Sequence, residues 1–366
     1  MNYHIHEISC NIIFSYLEFY DKHSFQKMNK YTNKIHIRDL WHINERYLCK
    51  LDNEILQNYK YATKLDAFGN DKITNINHMK KLEELDARRT CINDEGMIHL
   101  NNLVVLNVSH NLKIADLNHM TKLKILYMVG SDSINNDGLK NLTNLEILNV
   151  AFNLCVTDIN HMTNLKKLRA IDFCGIDNKG LMNLNNLEVL DISNNAKIID
   201  INHLTKLKEL DASGIFCQMN NEGIVDLNNL EILNVVNNAN INNVNHMTKL
   251  RELNASGTCG INDKGIIDLV NLEILNVNRN KNVNNVNHMT KLRELNASGS
   301  CGINDKGIID LVNLEILDAN NNKNIIDANH MTKLRGSNAS GKCGINKKGM
   351  KNLKNLKKID MRVIKI

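Results

Sequence analysis

Cysteine and histidine are the side chains most often recruited to ligate metals or move protons, and in this 366-residue chain both recur at regular places. Cys91, Cys174, Cys217, Cys259, Cys301 and Cys343 hold equivalent positions. So do His78, His119, His161, His203, His246, His288 and His330, at intervals of 41 to 43 residues. Converging on one point, such residues could make a zinc or redox centre, or a general base beside a carboxylate. Their regularity argues against convergence. If each period holds two stacked strands about 4.8 Å apart, consecutive members of a column lie about 10 Å apart. That exceeds the roughly 7 Å Cα limit for a disulfide and leaves no common point about 2.3 Å from two sulfurs. Both columns are therefore expected to pack and hydrogen-bond in turns. The pair His4 and His6 is too little to make a site, and no Gly-rich phosphate loop or once-only catalytic set occurs. The expectation is a chain with no metal, no cofactor and no enzymatic activity.

The element that positions these columns is the stretch from Leu250 to Lys291, which begins again almost letter for letter at Leu292. A period near 42 residues is the mark of a solenoid, propeller or array. Each period divides into two coils. One carries Leu250, Leu253, Ala255, Cys259 and Ile261, and its resemblance to cysteine-containing leucine-rich repeats implies a helix from about Asn262. The other carries Leu272, Leu275, Val277, Asn280, Val283 and Val286, and turns back through Asn287, His288 and Met289. Leu272, Leu275 and Val277 suit a short strand, and strands stacked in register would form a parallel sheet with a leucine ladder inside. The Asn column (Asn70, Asn111, Asn153, Asn195, Asn238, Asn280, Asn322) sits where the chain leaves each strand, where an amide can satisfy turn backbone that would otherwise be buried unpaired.

These coils resemble leucine-rich repeats, over about 300 residues and more than a dozen coils. The resemblance implies an α/β fold: a horseshoe-like leucine-rich-repeat solenoid with a parallel β-sheet on its concave face, after a small N-terminal helical segment. On this reading residues 65–366 are the repeats, about seven double coils. Residues 41–64 are a junction and degenerate first coil, because Asp52-Asn53-Glu54 aligns with Asn93-Asp94-Glu95. Trp41 would seal that junction.

Residues 1–40 do not share the repeat. Ile8, Ile12, Tyr16 and Tyr20 recur at helical spacing. The run Ile13-Phe14-Ser15-Tyr16-Leu17, then Asp21, then Met28-Asn29-Lys30-Tyr31, resembles an F-box. It departs from that motif in lacking the opening Leu-Pro and in having Met28-Asn29 for Val-Cys. The resemblance implies a substrate adaptor of a cullin-type ubiquitin ligase, with Ile12, Ile13, Phe14, Tyr16 and Leu17 docking on a Skp-type adaptor protein. The alternative is a stand-alone interaction scaffold whose first helices cap the array.

The central column of the concave face is Asp or Asn in nearly every coil and is broken by Tyr127 and Arg169. Arg88, Arg89, His110, Ile125, Val129, Phe152, Lys167 and Ile171 depart from the repeat around them. Tyr and Arg dominate interfaces, so Arg88, Arg89, His110, Tyr127, Phe152 and Arg169 are the expected contacts for an unidentified substrate protein; drift in older repeats would leave the same departures. The chain carries a net charge of +5, with about +10 from Lys333 onward. Lys347, Lys351, Lys354 and Lys358 would share a helical stripe, but without interleaved aromatics a solvated cap is expected rather than nucleic-acid binding. With no signal-peptide pattern and no apolar run near the roughly 18 residues of a membrane span, an intracellular, cytoplasmic protein is expected. The sequons at Asn254, Asn296 and Asn338 would then stay unmodified. Abundant Asn and the absence of Pro suggest an AT-rich genome, such as a large DNA virus acting in its host's cytoplasm.

Overall fold

A computed structural model of the chain describes residues 39–41 and 48–353. The F-box-like residues Ile12, Ile13, Phe14, Tyr16 and Leu17 lie outside the described residues, as do His4, His6, Lys354 and Lys358. The chain forms two compact units that divide between Leu165 and Lys166.

In the first unit, β1 (Asp39–Leu40), β2 (Lys64–Asp66), β3 (Glu84–Asp86), β4 (Val105–Asn107), β5 (Ile125–Tyr127) and β6 (Ile147–Asn149) each pair in parallel with the next. In the second, β7 (Lys167–Arg169), β8 (Val189–Asp191), β9 (Glu209–Asp211), β10 (Ile232–Asn234), β11 (Glu252–Asn254), β12 (Ile274–Asn276), β13 (Glu294–Asn296), β14 (Ile316–Asp318) and β15 (Gly336–Asn338) do the same. The register is one coil per strand, so that Leu233, Leu253, Leu275, Leu295 and Leu317 stand side by side. Period-2 alternation sends each middle leucine inward and its two neighbours to the open face. The inward set is dry: Leu253, Ala255, Ile261, Ile266 and Leu272, then Leu275, Val277, Val283, Val286 and Met289, are fully buried.

Two polar devices and one close backbone approach hold successive coils together. Asn280 is wholly buried, yet its Nδ2 donates to Ala255 O (2.8 Å) and Ile261 O (3.2 Å) while its Oδ1 accepts from Asn282 N at 2.8 Å. The remaining six members of the column repeat this. The Asn-His pair at each turn reaches both ways along the stack. Asn287 Nδ2 donates forward to Lys306 O (2.8 Å) and its Oδ1 accepts from Asp310 N (3.0 Å), while His288 Nε2 lies 2.9 Å from Ile266 O behind it. A carbonyl can only accept, so Nε2 carries the proton in every member of this column. The close approach is at Gly265, where an added Cβ would collide with the Asn242 carbonyl oxygen of the coil before it.

Two features differ from the sequence reading. The helix expected from Asn262 is a single 3-10 turn, Asp263–Ile266, whose first backbone amides are met by the Asn262 side chain at Lys264 N. A 3-10 turn rises about 2.0 Å per residue against 1.5 Å for an α-helix, so it crosses the back of a short coil in fewer residues. The α-helical turns α1 (Asn53–Leu56) and α2 (Asp94–Met97) are four residues each, capped by Asp52 and Asn93. The sheet also starts before the expected junction at residue 41: Leu40 is fully buried and pairs with Leu65. Trp41 beside it is half-buried.

Candidate functional site

Two residues beyond each three-residue strand, one outward-facing residue precedes a position where the backbone turns out of the sheet with positive φ. In the first unit that position is held by Gly69, Arg89, His110, Gly130 and Phe152, with φ between 52° and 66°. In the second it is held by Asp172, Asn194, Gly214, Asn237, Gly257, Arg279, Gly299, Asn321 and Gly341. The left-handed region costs an ordinary L residue about 1–2 kcal/mol, and only Gly, Asn and Asp enter it routinely. Arg89, His110, Phe152 and Arg279 therefore hold strained backbone, and three of the four lie in the first unit. Such strain clusters at functional sites.

Around the first two of these lies a cleft of about 410 Å³, lined by Phe68, Arg88, Arg89, Asn107, Ser109, His110, Tyr127, Val129 and Asn149. Tyr127 stands on β5 between Asn107 on β4 and Asn149 on β6. Arg88 is immobilised: its Nε is 2.9 Å from both Asp86 carboxylate oxygens, its Nη2 is 2.6 Å from Oδ2, and its guanidinium lies 4.6 Å from the centre of the Phe68 ring. That hydrogen bonding to Asp86 raises the Arg88 pKa above its ordinary value. Asn107 Oδ1 accepts from Ser109 N (3.1 Å) and Ser109 Oγ (2.8 Å), and Ser109 Oγ in turn accepts from Val129 N at 3.1 Å. Asn149 Oδ1 accepts from Ala151 N at 3.1 Å. Since each amide oxygen is committed to a backbone N–H, each Nδ2 is left as a donor. His110 has room because Gly130 follows in the next coil, where a Cβ would come within 2.9 Å of its Nδ1. Among the described residues, the side chains of Arg89, His110 and Tyr127 have no hydrogen-bond partner.

The open face of the second unit carries Asp191, Glu209, Asp211, Glu252, Glu294 and Asp318, with Lys167 and Arg169 on its first strand. Burial, and then the neighbouring carboxylates Glu294, Glu209 and Glu273, hold the Glu252 carboxyl above its usual range.

No protein-family model matches the sequence and no curated protein does. Solved structures do match. An internalin (InlF) from Listeria monocytogenes superposes with a TM-score of 0.61, at 24% identity, over 78% of this chain and 89% of that one. A leucine-rich-repeat protein from Leptospira interrogans superposes with a TM-score of 0.55, at 19% identity, over 84% of this chain and 92% of that one. The fold is a leucine-rich-repeat solenoid.

Within this leucine-rich-repeat fold, four of the residues singled out in the sequence, Arg88, Arg89, His110 and Tyr127, line one cleft. Phe152 is exposed on the first unit outside that lining. Arg169 belongs to the second unit, where its Nε lies 3.1 Å from Asp191 Oδ2 in an exposed ion pair. Sequence reasoning missed Phe68, Ser109, Asn107 and Asn149. Phe68 is the one aromatic in its column, two residues past the strand, and that was a usable signal.

Four of the six cysteines in the column belong to the leucine-rich-repeat core, while Cys91 and Cys343 are half-buried. Cys174, Cys217, Cys259 and Cys301 are buried, and burial pushes each thiol up to about 11, away from the reactive thiolate. Among the described residues no three His, Cys, Asp or Glu side chains are grouped to hold a metal ion, and no helix is long and apolar enough to cross a membrane.

Proposed function

We propose that the chain is a non-enzymatic protein-binding scaffold whose partner site is the open face of the first unit, centred on Tyr127 and rimmed by Arg88, Arg89, His110 and Phe152. The observation that carries this is the strained column. All the other coils but that of Arg279 solve the same turn with Gly, Asn or Asp, so Arg89, His110 and Phe152 hold a costly backbone in order to display large side chains beside an unpartnered tyrosine. Arg169 is a separate candidate contact on the second unit. A photo-crosslinking residue at position 127 tests the proposal: it captures a discrete protein, whereas the same residue at Asn276 does not. Equal capture at both positions refutes the assignment.

The finer reading, a substrate adaptor of a cullin ubiquitin ligase working in the cytoplasm, of a host cell if the gene is viral, rests on the F-box-like text from Ile13 to Leu17. On it, the full chain binds a Skp-type adaptor through Ile12, Ile13, Phe14, Tyr16 and Leu17, and Leu17→Asp abolishes the complex. Without such binding the protein is a stand-alone scaffold and the first-unit site is unaffected.

A further inference from the structure

The cleft presents several uncommitted donors. The amide oxygens of Asn107 and Asn149 are occupied by backbone N–H groups, leaving their Nδ2 groups to face an occupant. Arg89 and the Tyr127 hydroxyl add further uncommitted donors. A cluster of free donors beside an unpaired guanidinium is complementary to an acceptor-rich group. Charge narrows the choice. Arg88 is already answered by Asp86 in direct contact and by Asp66 at longer range. The guanidinium of Arg89 is the remaining unanswered charge among the lining residues, and it balances a single negative charge better than a dianion. The Phe68 ring with Arg88 stacked on it, and Val129, give the cleft an apolar wall as well.

Resting on the partner site proposed above, we infer that this cleft receives a carboxylate side chain, Asp or Glu, flanked by an apolar or aromatic residue, on an extended segment of the partner protein. The carboxylate meets Arg89 and the Tyr127 hydroxyl. The Asn107 and Asn149 amides take backbone carbonyls of the segment, and its apolar neighbour lies against Phe68 and Val129.

The test uses the full chain and a displayed library of random linear dodecapeptides. Enriched sequences are then resynthesised as free peptides, with the acidic residue also replaced by Gln and by phosphoserine. The inference requires an acidic residue beside an apolar one in the enriched set. It also requires at least tenfold weaker binding on Glu→Gln in the peptide and on Arg89→Gly in the protein, with no change on Arg279→Ala. Arg89→Gly is the proper variant because glycine holds the φ of 52° without strain, and partial recovery in Arg89→Lys separates charge from shape. A set without acids, a basic set, an empty set, binding indifferent to Arg89, or tighter binding of phosphoserine than of Glu overturns it. If the crosslinker at 127 captures a partner while the library fails, only this inference falls. If both fail, the partner site falls as well.

Discussion

Replacing His110 by Asn should stabilise the first unit while weakening partner binding. His110 sits at φ 57° in the coil type where Asn194, Asn237 and Asn321 hold the same conformation. Substitution relieves left-handed strain worth about 1 kcal/mol. It can also add a hydrogen bond to the next coil, as Asn237 Oδ1 accepts from Thr258 N at 3.1 Å, worth about 0.5–1.5 kcal/mol. The sum is about 1.5–2.5 kcal/mol. Because repeat arrays need not unfold in one step, the assay is native-state hydrogen exchange read at the amides of coils β4 and β5, where protection should rise about 10- to 70-fold. Unchanged or reduced protection would refute the reasoning, since it would mean that the imidazole packs structurally and that the strain is answered within the fold.

Other outcomes follow from the same geometry. Asn280→Ala strips two buried carbonyls and one amide of their partner and should cost about 3–5 kcal/mol of local stability, measured by urea unfolding. Ser337 occupies the ladder position opposite Leu317, with its buried Oγ unpaired; Ser337→Leu should raise the stability of the terminal coil by about 2 kcal/mol, seen as slower proteolysis there. Gly265→Ala should lower the melting temperature by forcing two coils apart. The buried thiols of Cys174, Cys217, Cys259 and Cys301 titrate at about 11 when folded, against a value near 9 when exposed. Above pH 9 the unfolded chain loses these protons first, so their full stabilisation, present below 9, should fall away between pH 9 and 11 by roughly 2–3 kcal/mol each. Cys→Ala variants should flatten that part of the stability profile.

What could be read from sequence was whatever depends on composition at a fixed period. The Leu253–Leu275–Leu295 ladder and the amide role of the Asn280 column are local consequences of which residue recurs where. What could not be read depends on stacking or on backbone angles. The partners of Asn287 and His288 lie about twenty residues away on either side, so they exist only once neighbouring coils are in register. The left-handed column left a trace as alternating Gly and Asn, but nothing in the letters marks Arg89 or His110 as strained. β1 escaped notice because two residues around Leu40 carry too little of the repeat text. The helix expected after Asn262 shortened to one turn because the coil has few residues with which to cross its back.

The most direct measurement is the affinity of the partner captured at position 127 for the intact chain, for Tyr127→Ala, and for a chain lacking residues 292–333, one full period. An aromatic anchor at an interface centre carries 2 kcal/mol or more, so the account predicts about a 30-fold or greater rise in Kd for Tyr127→Ala and an unchanged Kd for the deletion. Equal affinity for Tyr127→Ala and the intact chain, or loss of binding on the deletion alone, would contradict it.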